Sequence, residues 1–282
     1  MAGARGNCIW RKSATSGWLA QHGVRLNQTT RGNYAVIERP NARRLQIEAF
    51  CETVAEARDL AASFGGSVEP LSSGWQARYF SANNSKPLRI GSRLTVVAAE
   101  EDAAKVDSSA RALIIPASAA FGTGEHATTA MSLRMLERIS RRLPPEWRML
   151  DAGTGSGILA LAGRCFGAGE IVAIDNDPLA ISVAKQNALA NKIRGVTFVV
   201  DDVNAGLRGK FDVIAANLYS ELLVSLFPKW RQRLAAEGQL ILSGVLRRQE
   251  REVSDGLTAN GFAIEEVRRR GKWIALLSCS CS

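Results

Sequence analysis

Histidine is scarce in this chain, with two among 282 residues. The five cysteines, Cys8, Cys51, Cys165, Cys279 and Cys281, form no C-x-x-C pair and no metal-finger spacing. A Cys/His metal site is therefore not expected, and the thiols read as reduced. No apolar run approaches the ~18 residues that span a bilayer, so a soluble, cytoplasmic protein without a membrane partner is expected. The opening M-A-G-A-R-G-N-C-I-W-R-K-S lacks the apolar centre of a secretory signal. Arg-rich and poor in acids up to Glu38, it leaves two readings open, an organelle transit peptide and a basic surface segment. Low-complexity tracts and repeats are missing as well. The chain is 46% hydrophobic and 22% charged, which suits one large or two modest domains with a substantial core.

The formal net charge of +9 is unevenly placed. Residues 1–44 hold eight Lys and Arg against one acid, Glu38, and the remainder is nearly neutral. A basic appendage on a neutral body suits a partner with phosphates, such as RNA, or with acidic side chains. Solvated surface is the plain alternative. Within this segment no clear pattern of elements is legible. Beyond it, R-L-Q-I-E-A-F-C alternates like a strand, Val54–Phe64 recurs at helical spacing, Gly65-Gly66 ends that helix, and 67–71 suit another strand. Residues 1–75 thus read as a small basic α+β domain with one convincing β-α-β pass.

Residues 76–120 read as a linker with lead-in strands: a turn-rich S-A-N-N-S-K, a strand or hairpin over 88–98, and the apolar R-A-L-I-I-P at 111–116. Residues 121–282 form the main domain. A helix is expected over 130–141, then a strand ending at Asp151, a helix, and a strand ending at Asp175. A helix over 178–191 has Pro at its first turn. Strands follow at 196–200 and 211–216, the second ending at Asn217. A helix over 219–234 must accommodate Pro228. The chain closes with a strand at 239–243, a charged helix over 247–260, and strands at 262–267 and 273–277 joined by a tight R-R-R-G-K turn. Alternating strands and helices imply an α/β fold, a mostly parallel seven-stranded Rossmann-like sheet with an antiparallel terminal strand.

The chemistry concentrates in D-A-G-T-G-S-G-I-L-A, where Gly153, Gly155 and Gly157 alternate after Asp151. Strand, glycine turn, helix, strand and acid make a nucleotide-binding βαβ unit. The third glycine comes one residue earlier than in G-x-G-x-x-G, and a carboxylate at Asp151 suits a ligand that carries a cation. S-adenosylmethionine is favoured over a nicotinamide or flavin nucleotide, with a structural turn as the third reading. Asp175 ends the second strand, where an acid can accept ribose hydroxyls; it is free to do so because Asn176 or Asp177 can cap the next helix. Asp202 ends the third strand, where an acid could bond an adenine amino group; an exposed loop acid is the other reading. Asn217 ends the fourth, where its amide oxygen could accept N–H bonds from an incoming amine.

Upstream, F-G-T-G-E-H-A-T-T at 121–129 follows no general fold rule. Together with W-Q-A-R-Y-F, P-L-R-I-G-S-R-L, A-I-D-N-D-P, A-A-N-L and L-S-G-V-L, it resembles the PrmA-type class I S-adenosylmethionine-dependent methyltransferases that modify ribosomal protein L-eleven. The resemblance spans roughly residues 75–282. It implies S-adenosylmethionine as methyl donor, no metal, and Thr129, Gly153, Asp175 and Asn217 as cofactor contacts, with Asn217 also facing the substrate amine. Phe121 and Thr123 would lie in a loop over the cofactor, with Gly155 beneath it. His126 is either a base or a hydrogen-bonded loop residue. The expected activity is methylation of lysine or N-terminal amines of a ribosomal protein by a monomer. Contact with ribosome or RNA would run through the basic N-terminus. RNA methylation and small-molecule N-methylation are the alternatives. One departure stands out: that family's N-terminal domain is a full β-α-β-β-α-β module.

Overall fold

The structure is a computed structural model and describes residues 8–30, 34–37, 44–51, 53–70, 87–116, 126–203 and 209–281. The chain divides into two compact units, Met1–Tyr79 and Phe80–Ser282.

The first unit runs β1 (Cys8–Ala14), α1 (Ser16–Thr30), β2 (Tyr34–Ile37), β3 (Leu45–Cys51), α2 (Val54–Phe64) and β4 (Ser67–Pro70). Its sheet is antiparallel in the order β2-β3-β1-β4. This is a complete β-α-β-β-α-β module of the ferredoxin-like kind, which corrects the expectation of a single β-α-β pass behind a patternless segment. The missed elements have physical reasons to look patternless. In β1 the pair Arg11-Lys12 interrupts the apolar alternation, yet Arg11 is neutralised by Glu48 on β3 and Glu69 on β4. On the opposite face Trp10 is fully buried with Leu26, Ile47 and Leu60, and its Nε1 donates to the Gly65 carbonyl at 2.9 Å. α1 hides its one fully buried leucine, Leu26, between Gly23 and a polar last turn.

The second unit opens with a three-stranded sheet, β5 (Leu88–Ile90), β6 (Leu94–Val97) and β7 (Arg111–Ile114), with a short helix α3 (Glu100–Ala103) before β7. These lead-in strands are fixed to the helices beyond them. Asn191 donates to the Ile114 carbonyl and accepts from the Ile114 amide, as a neighbouring strand would. Then come α4 (Ala127–Ile139), β8 (Arg148–Ala152), α5 (Ile158–Cys165), β9 (Glu170–Asp175), α6 (Pro178–Ala190), β10 (Val196–Val200), β11 (Phe211–Asn217), α7 (Ser220–Arg233), β12 (Leu234–Leu246), α8 (Glu250–Ala259), β13 (Phe262–Arg270) and β14 (Trp273–Ser280). α7 continues through Pro228. The charged helix opens as a 3₁₀ turn, Arg247–Gln249. The Arg268–Arg270 run extends β13, leaving the reversal to Gly271 and Lys272.

The seven-stranded sheet has the order β10-β9-β8-β11-β12-β14-β13, parallel except for β14. Successive residues of the central strands enter different cores. Met149 packs with α4 and α5, and Leu150 with α7 and α8. A strand covered on both faces has to be apolar throughout, which is why this stretch does not alternate. The strand order reverses between β8 and β11, and a crevice opens there at the carboxyl ends.

Candidate active site at the carboxyl edge of the sheet

Three glycines turn the chain out of β8. Gly153, Gly155 and Gly157 have φ of +73°, +53° and +81°, a region costly for residues with a Cβ. The amides of Gly153 and Thr154 both donate to the Ile174 carbonyl at 2.9 Å, pinning the turn to β9. A Cβ on Gly153 would lie 2.5 Å from Leu218 Cδ2, and one on Gly157 3.0 Å from Ala184 Cβ.

Asp151 lies beneath this turn. It is 1% exposed and accepts from Thr154 Oγ1 at 2.6 Å and from the Ala160 amide at 3.0 Å. Gly157 has no side chain with which to cap α5, so Asp151 does that work from below. Burial pushes its carboxyl up to about 6, against the lowering effect of those two hydrogen bonds. It does not line the cavity, which corrects its expected place beside a ligand cation.

Asp175 does face the cavity. Its two oxygens accept from the amides of Gly155 at 2.9 Å and Asp177 at 3.1 Å. Asp177 caps α6 through the Leu179 amide, at 2.8 Å. A carboxylate offers about four lone-pair directions, so Asp175 can still accept from a ligand.

The cavity is about 390 Å³, a size suited to a nucleoside-sized ligand. Thr129, Gly153, Gly155, Asp175, Asp202 and Asn217 line it together, although they come from five separate parts of the chain. Phe121 and Thr123 lie outside the described residues. Two buried polar atoms in the wall, Thr129 Oγ1 and Asn217 Oδ1, have no hydrogen-bond partner among the described residues. Such an atom costs about 1–3 kcal/mol unless a ligand satisfies it.

His126 is not part of the lining. Its Nδ1 is 2.6 Å from Thr128 Oγ1 and its ring stands edge-on to Trp273 at 4.9 Å. Burial, then the Lys272 charge, lowers its pKa. Of its two readings, a loop residue that anchors the start of α4 matches this geometry.

Sequence reasoning missed Leu218, Tyr219 and Leu222 in the wall, and Gly244 behind it. Leu218 passes between two glycines. Opposite Gly153, a Cβ on Gly244 (φ +86°) would come 2.3 Å from the Leu218 carbonyl oxygen. The Leu218 amide donates to the Ser243 carbonyl at 3.0 Å, so the segment carrying Asn217 is gripped from both sides. Gly244 was visible only as the glycine of L-S-G-V-L, next after the strand expected at 239–243.

This strand order, with a glycine turn after its first central strand and an acid ending the second, defines a class I methyltransferase fold. Comparison with known proteins narrows the class. A family model described as ribosomal protein L11 methyltransferase (PrmA) matches residues 36–280. The ribosomal protein L11 methyltransferase of Pelobacter propionicus is 36% identical over 261 residues, 89% of this chain and 81% of that protein. That of Syntrophotalea carbinolica is 40% identical over 193 residues, 68% of this chain but 61% of the longer relative. The crystal structure of the ribosomal protein L11 methylase from Lactobacillus delbrueckii subsp. bulgaricus matches with a TM-score of 0.65 at 31% identity, covering 70% of this chain and 100% of that one. The chain belongs to the ribosomal protein L11 methyltransferase family, and a methyltransferase family implies S-adenosylmethionine as methyl donor. Among the described residues no helix is long and apolar enough to cross a membrane, and no three His, Cys, Asp or Glu gather as a metal site.

Proposed function

We propose that the chain methylates amine nitrogens, lysine side chains or the N-terminal amine, of a ribosomal protein, the large-subunit protein in its relatives' names being the first candidate. The observation that carries this reading is Asn217 Oδ1, an acceptor buried in the cavity wall and left without a partner among the described residues. An amide oxygen can accept an N–H from an amine and so fix the direction of the nitrogen lone pair. When bound, S-adenosylmethionine supplies an electrophilic methyl: the N–C bond forms as the S–C bond breaks, and a neutral thioether leaves.

The remaining wall suits that donor. Gly153 and Gly155 let backbone pass close beneath it, Asp175 takes ribose hydroxyls, Asp202 the adenine amino group, and the Thr129 hydroxyl one further polar contact. A free lysine has a pKa near 10.4, so at pH 7 about one in a few thousand is neutral. Leu218, Tyr219 and Leu222 give the entrance apolar surface that favours the uncharged amine. The proton leaves to solvent before the amine docks, so no base is needed in the wall. Transfer then depends on alignment. The N-terminal module is the part proposed to hold the protein substrate, its basic segment meeting ribosome or RNA, with the enzyme acting as a cytoplasmic monomer.

Asn217→Ala is expected to lower kcat by about a hundredfold or more while leaving the Kd for S-adenosylmethionine within a few-fold. Single-turnover methylation and calorimetric titration separate the two quantities. Wild-type turnover in that variant would remove Asn217 from the reaction.

A further inference from the structure

We propose that the tip of the β13–β14 hairpin, the Arg247–Gln249 turn and the adjoining face of α4 form a binding surface for an RNA phosphate backbone. Arg247, Arg248, Arg270 and Lys272 are exposed there, and Arg134 and Arg268 are half-buried. The pieces are contiguous. Leu246 pairs with Trp273, and the Arg247 amide donates to the Lys272 carbonyl at 2.9 Å, which sets the turn beside the hairpin tip. Arg134 reaches the same cluster from α4: after burial, the charges of Arg270 and Arg268 are what lower its pKa.

Two of the nearby acids are already engaged. Glu266 holds Arg138 and Arg268, and Glu250 holds Arg269. Among the described residues no carboxylate forms an ion pair with Arg134, Arg247, Arg248, Arg270 or Lys272. Like charges gathered without counter-charges raise the energy of the free protein and favour an anion that spans them.

Two features favour a polyphosphate over an acidic protein. A protein partner is anchored by apolar side chains entering pockets. The exposed large apolar residues, Val24, Leu179, Leu189, Val200 and Tyr219, all lie outside these elements. Trp273 is engaged by His126 and Lys272. Second, four of the five cations without an ion pair among the described residues are arginines, and planar guanidinium forks match phosphate oxygens. The parallel direction of β12 and the reversal into β14 place this surface on the carboxyl edge, the edge that carries the cavity. The inference does not depend on the methyl-transfer reading, nor on the basic segment at residues 1–44.

The test is fluorescence anisotropy of a labelled single-stranded RNA with the full-length chain across a salt series. Wild type should bind with an affinity that falls linearly in log–log form. Arg270→Glu/Lys272→Glu and, separately, Arg247→Glu/Arg248→Glu should each weaken binding at least tenfold. Each should also flatten the slope by about 1.4, two contacts at roughly 0.7 apiece. Lys185→Glu/Arg194→Glu, exposed cations outside these elements and outside residues 1–44, should leave the slope unchanged. Should a reversal disturb the fold by circular dichroism, Lys272→Gln and Arg248→Gln give the same comparison with smaller steps. Absence of RNA binding by wild type, patch variants that bind as wild type does, or displacement by polyglutamate as readily as by RNA of equal charge would each overturn the proposal.

Discussion

Replacing Gly244 by alanine tests whether the backbone behind the cavity sets the position of Asn217. The added Cβ would lie 2.3 Å from the Leu218 carbonyl oxygen, where ordinary contact begins near 3.4 Å. The obstacle is backbone on both sides and cannot rotate away, so the 217–219 segment has to move by about 1 Å to restore contact distance. Two costs follow. The φ of +86° strains an alanine by about 1–3 kcal/mol, a fall in Tm of roughly 4–8 °C for 2 kcal/mol in a domain of this size. A displacement of about 1 Å at a positioning residue can reduce turnover about a hundredfold. Because Asp175 and the glycine turn sit on other strands, the Kd for S-adenosylmethionine should change far less than kcat. Differential scanning fluorimetry, calorimetric titration and single-turnover methylation read the three quantities. A variant with wild-type Tm and kcat would refute the claim that Gly153 and Gly244 together fix the Asn217 segment. Equal loss of kcat and cofactor affinity would show that the whole crevice had collapsed, not its far wall alone.

Asp175→Ala should weaken S-adenosylmethionine binding at least about a hundredfold, because charge-assisted hydrogen bonds to ribose are lost, with the amine KM little changed; titration and steady-state kinetics decide. Asp151 makes a signed prediction. Its folded-state acid titrates at about 6 against 3.8 ordinarily, so the folded chain holds an extra proton between those values. Its contribution to stability should therefore fall as pH rises from about 4 to about 6, by roughly 3 kcal/mol in all, and stay flat above. Urea melts across that range should lose the slope in Asp151→Asn, and an unchanged slope would assign it elsewhere. Trp10→Ala empties the centre of the N-terminal module at a cost of about 3–5 kcal/mol. It should abolish methylation of the protein substrate while leaving cofactor binding intact; retained methylation would remove that module from substrate recognition.

Much of the larger unit was legible because its local signals agree. Buried strands end at Ala152, one residue past Asp151, and at Asp175 and Asn217, glycines follow the first where the backbone turns left-handed, and Pro178 opens a helix. Asp175 could be picked out as the acid left to face the cavity because Asp177 was available to cap α6, as it does. The smaller unit was hard to read because its strands are stabilised by distant partners. Arg11 looks like a break in β1 until Glu48 and Glu69 appear on the strands beside it. Asp151 was misplaced for a related reason. A strand-end carboxylate points either up at a ligand or down at the next helix, and the lack of a capping side chain at Gly157 decides for the second. Gly244 carried no local sign, since the atom it makes room for lies on another strand.

The order of the central strands also governs when this chain can act. β11, which delivers Asn217, is inserted between β8 and β12, so its hydrogen-bonding edges are completed by segments ending at residues 152 and 246. Closing such long chain loops is slow, and it cannot finish before the later strand has been synthesised. A nascent chain that has exposed the glycine turn can already shape half of the crevice. The wall that carries Asn217, proposed above to aim the amine, takes form only when β12 arrives, later than the glycine turn.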